Sequence, residues 1–154
     1  MWIAAFAGVE GKIRVLVVDG SQLMGWLVDS LTPESVDVRQ TTCFAEAKDL
    51  LITDSPDAAI FNIGPSDLPW GDLHAICDSH DPRIPYLCCS AVEDLPAEKL
   101  DMYCADNRVL IKPIPMMELR EHVLGLAEEA RKLQLEAEDR EGSTELEART
   151  RPSA

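Results

Sequence analysis

Four short segments constrain what this chain can fold into: Val15-Leu16-Val17-Val18-Asp19-Gly20, Ala59-Ile60-Phe61-Asn62-Ile63-Gly64, Tyr86-Leu87-Cys88-Cys89-Ser90-Ala91 and Val109-Leu110-Ile111-Lys112-Pro113. Each is an apolar run that closes on a polar residue. A strand that is apolar at successive positions must be covered on both faces, which is the condition of a strand inside a parallel sheet. Helix-like stretches separate the runs, so the alternation predicts a doubly wound α/β sandwich with right-handed crossovers. The carboxyl ends of such strands would gather Asp19, Asn62, Ser90 and Lys112 at one sheet edge, where open α/β sheets bind ligands.

The stretches between the runs carry helical or turn signals. Leu23, Leu27 and Leu31 recur at intervals of four and predict one apolar helix face, with Trp26 beside it. Val36-Asp37-Val38 alternates as a short second strand. Phe44, Ala47, Leu50 and Leu51 predict a second helix that stops near Asp54-Ser55-Pro56. Gly64-Pro65-Ser66-Asp67-Leu68-Pro69-Trp70-Gly71 reads as loop, followed by a short helix over Leu73, Ile76 and Cys77. Asp94 can cap a helix through Pro96, Leu100 and Tyr103. Pro115 suits the first turn of a final helix. There Leu119, Val123, Leu126, Ala130 and Leu133 form a long apolar stripe, and Met116 and Met117 suit core filling or an adaptable contact surface.

This pattern divides the chain into an N-terminal extension at 1–11, one domain at 12–133 and an acidic tail at 134–154. The tail has few large apolar residues and is expected to be mobile. The opening Met1-Trp2-Ile3-Ala4-Ala5-Phe6-Ala7 is apolar but lacks a basic flank and is too short to span a bilayer.

The formal charge is −14, from 28 acidic and 14 basic residues, and most of it falls within residues 1–127. That charge repels phosphate backbones and anionic lipid surfaces, so neither nucleic acid nor membrane is an expected partner. The five cysteines, Cys43, Cys77, Cys88, Cys89 and Cys104, show no metal-clip spacing. They fit reduced, buried thiols of a cytoplasmic protein. Cys88 and Cys89 are adjacent on a strand and should point to opposite faces. His74, His80 and His122 share no helical register, and exposed or capping roles are expected for them. No Gly-rich phosphate loop, nucleophile elbow or HExxH pair is present.

The strand-end residues, taken in order, resemble the receiver domain of two-component response regulators over roughly residues 12–133. The resemblance implies a five-stranded parallel sheet of order 2-1-3-4-5 flanked by five helices. In that family a strand-three Asp accepts a phosphoryl group. A divalent metal is held by that Asp, an acidic pair and a backbone carbonyl, and a Ser/Thr and a Lys complete the site. Asn62 stands at the acceptor position, Asp19 at one member of the acidic pair and Gly20 at the other. The carbonyl of Gly64 stands at the backbone ligand, Ser90 at the hydroxyl and Lys112 at the lysine. Val109 occupies the position of the switch aromatic.

A carboxamide is a poor nucleophile toward phosphorus and a weak ligand for a hard cation, and one carboxylate replaces three. The resemblance therefore implies a degenerate pseudo-receiver with no catalytic residues, metal or cofactor. It would act in bacterial signal transduction as a phosphorylation-independent interaction module for a protein partner. Alternatives are a receiver phosphorylated at another residue, such as Asp67 or Ser90, and a small-ligand sensor using the strand-end pocket. Asp19 and Lys112 are expected to pair in that pocket. The expected interaction surface is Leu126, Ala130 and Leu133 with the loop residue Trp70. The family's dimer face, built from its fourth helix, fifth strand and fifth helix, makes a homodimer possible.

Overall fold

The computed structural model describes residues 12–63, 70–91 and 109–150, with side chains as far as Gly142. Its strands are β1 (Ile13–Val18), β2 (Val36–Thr41), β3 (Ala58–Ile63), β4 (Tyr86–Ser90) and β5 (Val109–Ile111). All adjacent pairs are parallel, in the order β2-β1-β3-β4-β5. The helices among the described residues are α1 (Leu23–Leu31), α2 (Phe44–Thr53), α3 (Trp70–Ser79) and α4 (Met116–Thr150). Four helices are thus described where five are expected. The expected helix through Pro96, Leu100 and Tyr103 falls at 92–108, outside the described residues. So do the 1–11 extension, the loop residues Gly64 to Pro69, and Cys104.

Side-chain alternation along the strands splits the core in two. Ile13, Val15, Val17, Ile60, Leu87, Cys89 and Leu110 pack against α1 and α4. Leu16, Val18, Ala59, Phe61, Tyr86 and Cys88 pack against α2 and α3 on the opposite face. Cys88 and Cys89 therefore lie in different halves of the core, as their adjacency predicts. Covering both faces explains why the strands are apolar at successive positions.

The buried stripe of α1 is offset by one residue from the expected Leu23, Leu27, Leu31 face. Met24 and Val28 are buried, Leu31 packs beside them, and Leu23 and Trp26 are 60% and 66% exposed. Both frames have helical spacing in a short helix with many apolar residues, so periodicity alone does not choose between them. Gly25, also buried, lets α1 approach β2: a Cβ there would lie 1.9 Å from Oε1 of Gln40, whose amide donates to the carbonyl of Ser21 at 2.9 Å. Strand β2 is longer than Val36-Asp37-Val38 suggests and pairs with β1 as far as Val18 opposite Thr41.

Two expectations about the last helix need correction. Leu126 and Ala130 are 6% and 1% exposed and belong to the core with Leu119 and Val123. The stripe is covered by the protein's own sheet, and Leu133 is half-buried at its end. Further along, α4 continues through the expected mobile tail to Thr150. Glu128, Lys132, Glu136 and Arg140 alternate in sign at steps of four, and residues 128–141 consist almost wholly of strong helix formers. Gln134 donates to the Asp57 carboxylate, and Arg83 pairs with Glu129 at 2.6 Å, tying this part of the helix to the body. Among the described residues no helix is long and apolar enough to cross a membrane.

Candidate functional site at the carboxyl edge of the sheet

Strand β1 ends in Asp19, whose backbone N–H donates to Thr41 of β2 at 3.1 Å. The side chain is 6% exposed and lies where α1 begins. Oδ2 accepts from the backbone N–H of Met24 at 3.1 Å and from the Ser21 hydroxyl at 3.3 Å. Gln22, at the helix start, makes no side-chain cap bond, so Asp19 satisfies a first-turn N–H and places its charge at the positive end of α1. This capping role was readable in Asp19-Gly20-Ser21 ahead of an apolar helix, and it accounts for Asp19 independently of any ligand.

The other carboxylate oxygen faces β3. Asn62 Nδ2 donates to Asp19 Oδ1 at 2.9 Å. A direct amide-to-carboxylate hydrogen bond thus links the ends of β1 and β3. The reverse amide orientation would set an oxygen against the carboxylate, so the donor has to face Asp19. Asn62 Oδ1 is then buried with no hydrogen-bond partner among the described residues. Gly20 is exposed, and a Cβ built on it meets nothing within 4 Å.

Ser90 closes β4 and is fully buried, its hydroxyl donating to the carbonyl of Ala91 at 2.9 Å. Its carbonyl accepts from the backbone N–H of Lys112 at 2.8 Å, bringing Lys112 to the same edge just after β5. The Lys112 side chain is half-buried, and the Lys112–Pro113 peptide is cis. Among the described residues Lys112 forms no ion pair with Asp19 within 4 Å, so the expected buried pair is replaced by the contacts of Asp19 with Asn62, Ser21 and Met24.

Both charges nevertheless act on Cys89, the β4 residue opposite Asn62. Burial pushes its thiol up to about 11, with Lys112 opposing and Asp19 adding to the rise. Cys89 is a neutral thiol at physiological pH, unsuited to nucleophilic work. Val109 is half-buried and packs against the α2/α3 side of the core.

Beside the edge, Trp70 folds inward, its ring centroid 6.1 Å from Phe44 and 6.2 Å from Phe61. It is half-buried, so it is a weaker candidate for a protruding anchor than its loop position suggests. His74 also departs from expectation. It is 5% exposed, stacks on Tyr86 at 4.7 Å, and has Nε2 3.3 Å from Cys88 Sγ. Its position one turn after Trp70, beside Leu73 on the buried face of α3, was the available signal. Among the described residues no group of three or more His, Cys, Asp or Glu side chains could hold a metal ion.

The fold is that of response-regulator receiver domains. The signal receiver domain of a LuxO repressor protein from Vibrio parahaemolyticus superposes with a TM-score of 0.67 at 18% identity, over 80% of this chain and 96% of that one. The receiver domain of the Francisella response regulator 1452 gives 0.61 at 20%, over 77% and 98%. The chemotaxis response regulator CheY4 of Vibrio cholerae gives 0.59 at 17%, over 75% and 98%. No protein-family model and no curated protein matches the sequence.

Proposed function

We propose that this chain is a pseudo-receiver, a phosphorylation-independent interaction module for a protein partner in bacterial signal transduction. The observation that carries this reading is the Asn62–Asp19 hydrogen bond. It fills, with a neutral amide, the place where a receiver sets carboxylates around a metal. Asp19 already accepts three hydrogen bonds, and Gly20 offers no second carboxylate. Magnesium surrenders its water reluctantly and needs charged oxygens in near-octahedral array, which this edge does not supply. Phosphorylation at Ser90 is disfavoured by its complete burial, while Asp67 lies outside the described residues. Ile111, Met116 and Met117, exposed by 36%, 50% and 64% around the start of α4, supply apolar surface suited to a protein contact.

The test is incubation of the full chain with magnesium and acetyl phosphate, followed by intact-mass measurement, alongside NMR titration with magnesium and beryllofluoride. The expected result is no added phosphoryl group and no saturable shift at Asp19 or its neighbours. Stoichiometric phosphorylation, or saturable magnesium binding at Asp19, would sink the proposal.

A further inference from the structure

At the amino-terminal end of the sheet, away from Asp19 and Asn62, a hydroxyl meets an imidazole. The turn after α2 brings Ser55 to a point just before β3, and the turn after α3 brings His80 to a point before β4. His80 Nε2 lies 2.9 Å from Ser55 Oγ, and Nδ1 lies 2.9 Å from the carbonyl oxygen of Pro82. A carbonyl only accepts, so Nδ1 carries the proton. In the neutral ring Nε2 is then the unprotonated nitrogen, and the Ser55 hydroxyl donates to it. That is the tautomer and the direction a serine nucleophile needs from its general base, with the Pro82 carbonyl in the orienting position that a carboxylate holds in a Ser-His-Asp triad. The backbone also sets Ser55 apart. The chain leaves α2 there with a φ of 47°, in the left-handed region where glycine costs least. Strain of this kind, at a residue that holds a reactive group, recurs at active sites. Ser55 and His80 both line a cleft of about 730 Å³, within the range of about 300–1,000 Å³ common for small-molecule sites. Lys12, Arg14 and Arg83 line the same cleft, and Arg14 Nη2 donates to the Ser55 carbonyl at 2.6 Å, which sets positive charge beside the residue that bears the hydroxyl.

We propose that Ser55 and His80 form a nucleophile–base pair that hydrolyses small carboxylic esters in this cleft. Ser55 Oγ bonds to the ester carbonyl carbon while its proton passes to His80 Nε2, and the Pro82 carbonyl holds the Nδ1–H of the imidazolium that forms. The cations of the cleft stabilise the negative charge that develops on the ester's carbonyl oxygen. The tetrahedral adduct then breaks its C–O bond to the leaving alcohol, which takes the proton from Nε2. Water repeats the sequence on acyl-Ser55. Its oxygen bonds to the acyl carbon, one of its protons goes to Nε2 and on to Ser55 Oγ as the ester bond breaks, and a carboxylic acid leaves. No residue of the strand-end edge takes part, so this activity stands or falls separately from the reading of that edge.

Treatment of the full chain with a fluorophosphonate probe, which forms a covalent bond with activated serines, tests this by intact mass and peptide mapping. A single adduct at Ser55 is expected, together with p-nitrophenyl acetate turnover that the probe abolishes. His80→Gln, which keeps a polar side chain beside Ser55, should slow labelling at least about a hundredfold. Ser55→Gly removes the nucleophile but suits a φ of 47°, so it should keep the fold by circular dichroism while losing both labelling and turnover. A hydrogen bond that only ties the two turns together would give neither adduct nor turnover. An unlabelled wild type, an adduct on another residue, labelling indifferent to His80→Gln, or turnover that persists in Ser55→Gly would each overturn the proposal.

Discussion

The Asn62 amide decides how the strand-end edge behaves, because Asp19 and a carboxylate at 62 would repel each other at hydrogen-bond distance. Asn62→Asp should therefore destabilise the fold by about 1–3 kcal/mol at neutral pH, as one carboxyl is forced to hold a proton. Adding Gly20→Asp, where a Cβ meets nothing within 4 Å, supplies a further oxygen ligand. The double variant should then gain stability from magnesium while the wild type does not, a difference that thermal melts with and without the metal would show. Magnesium-independent melting of the double variant would mean that the edge lacks more than two carboxylates. Asp57, at the other end of the sheet, offers a pH test. Burial raises its carboxyl above the usual 3.8, against the hydrogen bond and charge of Arg14. A carboxyl raised in the folded state stabilises the fold below its unfolded pKa, and that contribution is lost as pH rises through the folded value. Urea denaturation across the acid range should show Asp57→Asn losing that part of the slope just above 3.8. Identical slopes would show that Arg14 fully offsets burial.

Among the elements, α1 and α4 show how far periodicity reaches. Leu126→Ala on the buried face of α4 should cost about 2–5 kcal/mol, because it opens a cavity in a closed core. Leu23→Ala, on the exposed side of α1, should stay within about 0.5 kcal/mol. Equal losses in chemical denaturation would restore the frame through Leu23, Leu27 and Leu31. The strands were legible because their apolar runs have one physical use, and the order of their polar ends placed Asp19, Asn62, Ser90 and Lys112 at one edge. Details that depend on neighbours were not legible. Which α1 stripe is buried depends on how Gly25 meets Gln40, and whether the α4 stripe is covered depends on the sheet beneath it. Apolar content also misread the segment after Leu133, where helix propensity and alternating charge sustain structure that hydrophobicity does not announce. The same blindness applied to His74, whose burial follows from Phe61 and Tyr86 across the sheet.

For the whole molecule the dominant number is the net charge of −14, which makes the folded protein repel itself. Opposing it are surface ion pairs such as Arg39–Asp54 at 2.9 Å and Lys48–Asp72 at 3.8 Å, with side chains roughly one-third to one-half exposed. Exposed pairs of this kind contribute about 0–1 kcal/mol each, and salt screens them together with the repulsion. Repulsion involves every excess carboxylate and acts over longer distances, whereas each pair acts locally, so screening should favour the folded state. Melting of the protein should rise by a few degrees between low and physiological sodium chloride. A gain of about 1 kcal/mol corresponds to roughly 2–8 °C for domains of this size range. Most of the rise should come at the first additions of salt, where the screening length shrinks from about 30 to about 10 Å. A melting temperature that falls as salt is added would mean that the local pairs outweigh the global field. Charge reversal at Arg39 and Arg83 would then become the next place to look for what holds the surface together.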